Sequence, residues 1–218
     1  MARFKAVIFD LDGTLLDTLK DLALSMNRVL ERNGLPVHPE DRYRYFVGDG
    51  ARTLVYRAVP ESLRKNEDAL KELLAQFLSD YKENWDRNTR LYEGIEEMLD
   101  QVMEKGLKMA VLSNKPHEFT RLCVERYLGQ WNFHKVLGEL PEIPRKPDPT
   151  GALTVARNIG IDPKGFLYLG DTSIDMKTAN QAGMYPVGVL WGFRDRDELK
   201  NAGAQTLLKR PQEIASLL

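Results

Sequence analysis

The segment Asp10-Leu11-Asp12-Gly13-Thr14 sets two carboxylates two residues apart, just after the short apolar run Phe4 to Phe9. In an extended segment, alternation puts Asp10 and Asp12 on the same side. Three further stretches carry chemistry-bearing residues: Ser113-Asn114, Lys146 within Arg145-Lys146-Pro147-Asp148-Pro149, and Gly170-Asp171-Thr172-Ser173-Ile174-Asp175. Brought together, Asp10, Asp12, Asp171 and Asp175 would repel one another unless a cation sat among them. Oxygen donors with no His or Cys in reach suit a hard ion, and Mg²⁺ is the expected one.

The same set predicts a reaction. A carboxylate at Asp10 attacking phosphorus splits one difficult displacement into two easier ones through an aspartyl-phosphate. Attacker and phosphate are both anionic, so the site must supply positive charge and hydrogen-bond donors. Mg²⁺ and Lys146 would bring the charge, and Ser113 with the Gly13–Thr14 backbone the donors. Asp12 is placed to protonate the leaving oxygen and then to activate water. The expected chemistry is hydrolysis of a phosphomonoester.

Three of these groups end apolar runs that read as buried parallel strands: Phe4 to Phe9, Lys108 to Leu112 and Gly165 to Leu169. Tyr185 to Leu190 is a fourth expected strand and His134 to Leu137 a weaker fifth. Helical spacing over Gly94–Lys105, Pro116–Leu128, Pro149–Ile159 and Ser173–Ala182 separates them, each ending at or before a glycine. Alternation of this kind predicts an α/β fold, a Rossmann-like parallel sheet with helices on both faces. In such sheets ligands bind at the carboxyl ends of strands. Between Asp10 and Lys108 lie roughly a hundred residues, far more than the dozen or so a crossover needs. The excess is apolar at helical spacing, as in Leu70, Leu73, Leu74, Phe77, Leu78 and Tyr81. The expected organisation is therefore an α/β core of residues 1–15 and 91–218 with an all-helical cap, 16–90, inserted after the first strand.

These motifs, in this order, resemble the haloacid dehalogenase superfamily of phosphohydrolases: Asp10-Leu11-Asp12-Gly13-Thr14-Leu15, then Ser113, Lys146, and Gly170-Asp171 to Asp175. The resemblance spans nearly the whole chain. It implies Asp10 as nucleophile and Asp12 as general acid and base. It implies Mg²⁺ held by the Asp10 carboxylate, the Asp12 main-chain carbonyl and the Asp171 carboxylate, with Asp175 supporting the metal or Lys146 from behind. Ser113, Asn114 and Lys146, with Gly13 and Thr14, would bind the phosphoryl group. Within the superfamily the likeness is to phosphoglycolate phosphatases: Leu16-Asp17-Thr18 and Asp21-Leu22-Ala23 are similar to their cap entry, and Val47-Gly48-Asp49-Gly50 to their cap specificity loop. Ser113-Asn114-Lys115-Pro116 resembles their second motif, with Ser in place of the commoner Thr. The implied substrate is a small phosphorylated metabolite, 2-phosphoglycolate first; pyrophosphate, sugar phosphates and a phosphomutase reaction are the alternatives. A non-catalytic phospho-acceptor module is a remote alternative, because a long-lived aspartyl-phosphate needs neither Asp12 nor a lid.

Other residues have plainer readings. Lys115 reads as a solvated lysine, and Arg52 and Arg57 as surface arginines. His38, His117 and His134 lack ligand spacing, the three tryptophans read as packing residues, and Cys123 as a small buried side chain. Lys and Arg number 31 against 32 Asp and Glu, for a net charge of −1. That balance disfavours nucleic-acid and anionic-membrane partners. One cysteine among 218 residues allows neither an intrachain disulfide nor a Cys-rich zinc site. With no membrane-length apolar stretch and no signal-peptide core, the expected location is cytoplasmic.

Overall fold

The computed structural model describes residues 4–218. Strand β1 (Ala6–Phe9) runs into the Asp10 loop and the two-residue strand β2 (Leu16–Asp17). Helices α1 (Leu19–Arg32), α2 (Ala51–Ala58) and α3 (Glu67–Asn84) follow, and β3 (Arg90–Leu91) returns antiparallel to β2. The rest alternates: α4 (Ile95–Glu104), β4 (Lys108–Pro116), α5 (His117–Leu128), β5 (Phe133–Glu139), α6 (Thr150–Ile159), β6 (Phe166–Gly170), α7 (Ser173–Gln181), β7 (Tyr185–Val189), α8 (Arg196–Asn201) and β8 (Thr206–Leu208). Six strands form one sheet in the order β5-β4-β1-β6-β7-β8, parallel at every pairing.

Period-two alternation sorts the strand side chains between the two faces. Val7, Phe9, Met109, Val111, Leu167 and Leu169 pack with Ile95, Leu99 and Val102 of α4 and Cys123 of α5. Ala6, Ile8, Ala110, Leu112, Phe166 and Tyr168 face the other way, onto Ala152, Val155 and Ile159 of α6. Both faces are covered, which is why these strands are apolar throughout. The chain builds β1, β4 and β5 outward on one side, then crosses to build β6, β7 and β8 on the other. The order reverses beside β1, so the carboxyl ends of β1, β4 and β6 surround one crevice.

The helices between β2 and β3 have a core of their own, in which Leu22, Met26, Leu30, Tyr43, Leu54, Val55, Leu73 and Phe77 are buried together. Asp80 of α3 accepts hydrogen bonds from Arg28 of α1 at 2.5–3.1 Å and pairs with Arg32 at 3.1 Å. Burial pushes this carboxyl up, but the two guanidinium groups outweigh it and hold the pKa below the ordinary carboxylate value.

Where this helical segment rejoins the sheet, Asp21 accepts from the Asn88 amide and side chain, and from the Thr89 amide and hydroxyl, at 2.7–3.0 Å. Removing that carboxylate leaves buried donors unpaired. Asp21→Ala is expected to lower stability by about 3 kcal/mol in urea unfolding, and Asp21→Asn by less. A loss below about 1 kcal/mol would show that this joint is not held by Asp21.

The structure adds to the elements read from sequence the two-residue strands β2 and β3, the sixth strand β8 and the short helix α8. Among the described residues, no helix is long and apolar enough to cross a membrane. Cys123 is buried, and burial pushes its thiol up to about 12.

Candidate active site

Asp10 directly follows β1, and its amide donates to Leu169 O of the neighbouring strand β6 at 2.9 Å. Asp171 and Asp175 arrive from the end of β6 and the first turn of α7. A carboxylate oxygen from each of Asp10, Asp171 and Asp175 lies within 4.8 Å of the others, and all three residues are buried. One ammonium stands among them. Lys146 donates to Asp10 Oδ1 at 2.8 Å, Asp175 Oδ1 at 2.7 Å and the Leu112 carbonyl at 3.1 Å. Three carboxylates against one ammonium leave an excess of negative charge in a dehydrated place.

The pKa shifts follow from that excess. Burial and the Asp175 charge push the Asp10 carboxyl up to about 7, although Lys146 pulls the other way. Burial, with Asp10 and Asp175 beside it, raises Asp171 well above the ordinary range. Lys146 is lifted well above its usual value because the two carboxylates it touches outweigh its burial. A buried, oxygen-only cluster short of positive charge fits a hard divalent cation.

Asp175 has little left to offer such an ion. Its Oδ2 accepts from the Thr172 amide at 3.1 Å and the Thr172 hydroxyl at 2.6 Å, closing a capping box at the start of α7, while Oδ1 takes Lys146. Asp171 is held by the Phe193 amide at 2.8 Å and the Thr14 hydroxyl at 3.3 Å.

Asp10, Asp12 and Ser113 line one pocket together with Gly48 and Gly50 of the loop before α2. Leu22, Leu54, Phe77, Leu78 and Phe119 supply an apolar wall. Asn114 ties this loop to the sheet: its amide donates to Gly48 O at 3.1 Å and Lys146 O at 3.0 Å, and its oxygen accepts from the Lys146 amide at 2.9 Å. The Asn114 side chain thus orients the Lys146 segment through its backbone. Asp49 pairs with Arg57 at 2.5 Å, and its carbonyl takes Arg145 at 3.0 Å. Arg52 pairs with the exposed Glu67.

Two expectations need correction. The Gly13 and Thr14 amides are not free to bind a phosphate: Gly13 N donates to Leu16 O at 2.9 Å and Thr14 N to Leu11 O at 3.3 Å, closing the turn. What this pair supplies is space and a hydroxyl. Gly13 has φ +88°, and a Cβ there would overlap the Asp171 carboxylate, so only glycine allows the loop to lie against it. Lys115 is not solvated: it is buried, donating to Asp12 Oδ1 at 3.0 Å, Asp12 Oδ2 at 3.2 Å and Tyr81 Oη at 2.8 Å. Burial works against its charge, yet Asp12 and Tyr81 raise its pKa above the ordinary lysine value. Tyr81, which the helical pattern assigns to packing, lines the pocket and accepts from this lysine.

A parallel α/β sheet whose acidic residues and two buried lysines meet where its strand order reverses has the build of a hydrolase of anionic esters. The family model described as haloacid dehalogenase-like hydrolase matches residues 7–189, and the chain belongs to that family. Among its relatives, the N-acetylmuramic acid 6-phosphate phosphatase of Pseudomonas aeruginosa is 35% identical over 99% of this chain and 95% of its own length. The phosphoglycolate phosphatase of Haemophilus influenzae (strain 86-028NP) is 34% identical over 88% of each chain. The crystal structure of a predicted phosphoglycolate phosphatase from Haemophilus somnus superposes with a TM-score of 0.90 at 31% identity, covering 100% of this chain and 99% of that one.

Proposed function

We propose that the chain hydrolyses the phosphomonoester of a small metabolite through an aspartyl-phosphate at Asp10, with Mg²⁺ as the resident cation. In this reading residues 16–90 are a cap over a core of residues 1–15 and 91–218, and the loop Gly48-Asp49-Gly50 meets the leaving group. The single observation that carries it is the buried carboxylate Asp10, gripped by Lys146 at 2.8 Å and open to the pocket shared with Asp12 and Ser113.

In the first half-reaction an Asp10 oxygen bonds to phosphorus. The ester P–O bond breaks, its electron pair stays on the leaving oxygen, and Asp12 gives that oxygen a proton. In the second half-reaction Asp12 takes a proton from water as the water oxygen bonds to phosphorus. The bond from phosphorus to Asp10 breaks, and orthophosphate leaves with the carboxylate restored. Lys146 holds one Asp10 oxygen so that the other faces the pocket, and the Ser113 hydroxyl donates to a phosphoryl oxygen. A divalent cation held by Asp10, Asp171 and the Asp12 main-chain carbonyl, with Asp175 behind it, would neutralise charge on the phosphoryl group.

Millimolar Mg²⁺ is expected to raise the melting temperature of the wild type by mass action. Asp171→Asn should lose most of that increment. An equal increment in both proteins would overturn the assignment of Asp171 as a ligand.

2-Phosphoglycolate is the substrate assigned, on the likeness to phosphoglycolate phosphatases. N-acetylmuramic acid 6-phosphate is the second reading, favoured by the Pseudomonas relative and by the apolar wall of Leu22, Leu54, Phe77 and Leu78. The composition supports a cytoplasmic enzyme without nucleic-acid or membrane partners. Phosphate release from both esters, pyrophosphate, sugar phosphates and nucleoside monophosphates tests the reading. The expected result is multiple turnover with 2-phosphoglycolate preferred. Preference for the amino-sugar ester would move the substrate assignment, and no release from any member would overturn the function.

A further inference from the structure

Lys115 is a second buried ammonium lining the pocket, and neither half-reaction gives it a task. It stands near the end of β4, and its amide donates to Ser113 Oγ at 3.2 Å. Its side chain spans two parts of the molecule. Two of its contacts go to both oxygens of Asp12 in the β1 loop, and the third goes to the hydroxyl of Tyr81 on α3. Tyr81 is itself fixed: its ring stacks on Phe77 at 5.8 Å and meets Phe119 edge-on at 5.1 Å. The Lys115 ammonium lies 4.7 Å from the centroid of the Tyr81 ring. All three ammonium hydrogens therefore have a partner, and both Asp12 oxygens accept from the same group.

That grip fixes the orientation of the carboxylate. Orientation alone limits the second half-reaction whenever the leaving group needs no acid, because Asp12 must still meet the water attacking phosphorus on Asp10. We infer that Lys115, braced by the Tyr81 hydroxyl from α3, is the positioning residue that holds Asp12 for hydrolysis of the aspartyl-phosphate. The inference rests on the phosphatase reading and adds to it a division of labour between two lysines. Lys146 serves the nucleophile and Lys115 serves the base. Because Tyr81 belongs to the helical segment, Asp12 is fully held only while α3 lies against the sheet.

The test uses p-nitrophenyl phosphate, whose leaving group departs as a weakly basic phenolate and needs no acid. Formation of the aspartyl-phosphate from this ester is then independent of Asp12, and kcat/KM reports on that step alone. Lys115→Met should lower kcat by about tenfold to a hundredfold, with kcat/KM within about threefold of wild type and KM falling alongside kcat. In stopped flow it should show a burst of p-nitrophenolate approaching one per active site, because the phosphorylated enzyme accumulates. Tyr81→Phe keeps the ring and removes only the hydroxyl. It should show the same pattern at about threefold, and it carries the test if Lys115→Met does not fold. Equal falls in kcat and kcat/KM without a burst, or unchanged kinetics in both variants, would overturn this inference while leaving the phosphatase reading intact. A wild-type chain that releases no p-nitrophenolate and no phosphate would overturn both.

Discussion

Asp10→Asn is expected to abolish turnover of every phosphate ester, by at least about 10⁴-fold, while leaving the protein folded. An amide cannot form the acyl phosphate, and no neighbour can take its place: Asp175 is occupied by Thr172 and Lys146, and Asp171 by Phe193 and Thr14. The amide oxygen still accepts from Lys146, so the hydrogen bond at that corner survives. One of three mutually repelling buried carboxylates becomes neutral, and the melting temperature without added cation should therefore not fall below that of the wild type. Acid-quenched enzyme incubated with labelled ester should carry one phosphoryl group in the wild type and none in the variant. Residual turnover above roughly 1% would remove Asp10 from the role of nucleophile.

The contrast between residues legible in the sequence and those that were not follows from where their partners come from. Strands β1, β4, β6 and β7 stand out because a buried parallel strand must be apolar on both faces. Asp10, Asp171 and Lys146 are visible because a charged residue at the abrupt end of such a run, or between two of them, has few structural reasons to be there. The strands β2 and β3 are two residues each, too short for any periodicity, and only their pairing in space defines them.

Lys115 is hidden for a related reason. Before a proline, in Asn-Lys-Pro, it looks like a loop residue, yet β4 continues to Pro116 with its pairing to β5 irregular between Leu112 and Pro116. Ser113, Asn114 and Lys115 all line the pocket there, so no two-residue period marks the lysine. Tyr81 offers no signal either, because its ring obeys the packing pattern of α3 and its hydroxyl meets a partner on a distant element. The Gly13 and Thr14 amides fail in the opposite sense. Their sequence resembles a phosphate-binding turn, but the turn closes on its own carbonyls.

Lys146→Ala should be the most damaging substitution for the fold and the second most damaging for turnover. The side chain is buried, and all three of its donors are used, on Asp10, Asp175 and the Leu112 carbonyl. Its removal leaves Asp10, Asp171 and Asp175 without the one ammonium among them, strips a buried carbonyl of its donor and opens a cavity along the lost stem. Breaking a buried pair in this way costs about 3–5 kcal/mol, so urea unfolding in the presence of a chelator should show a loss of that size. Adding Mg²⁺ should recover part of the stability, because a cation in the cluster restores the charge balance. Turnover should stay at least about 10³-fold down with Mg²⁺ present, because charge alone does not orient Asp10 or donate to the phosphoryl group. Lys146→Arg should rescue neither property, since a planar fork cannot direct hydrogen bonds to three separate oxygens around a point. A variant that loses less than about 1 kcal/mol would mean that the carboxylates are neutral in the resting protein, and Lys146 would then not be the group that makes the cluster tolerable.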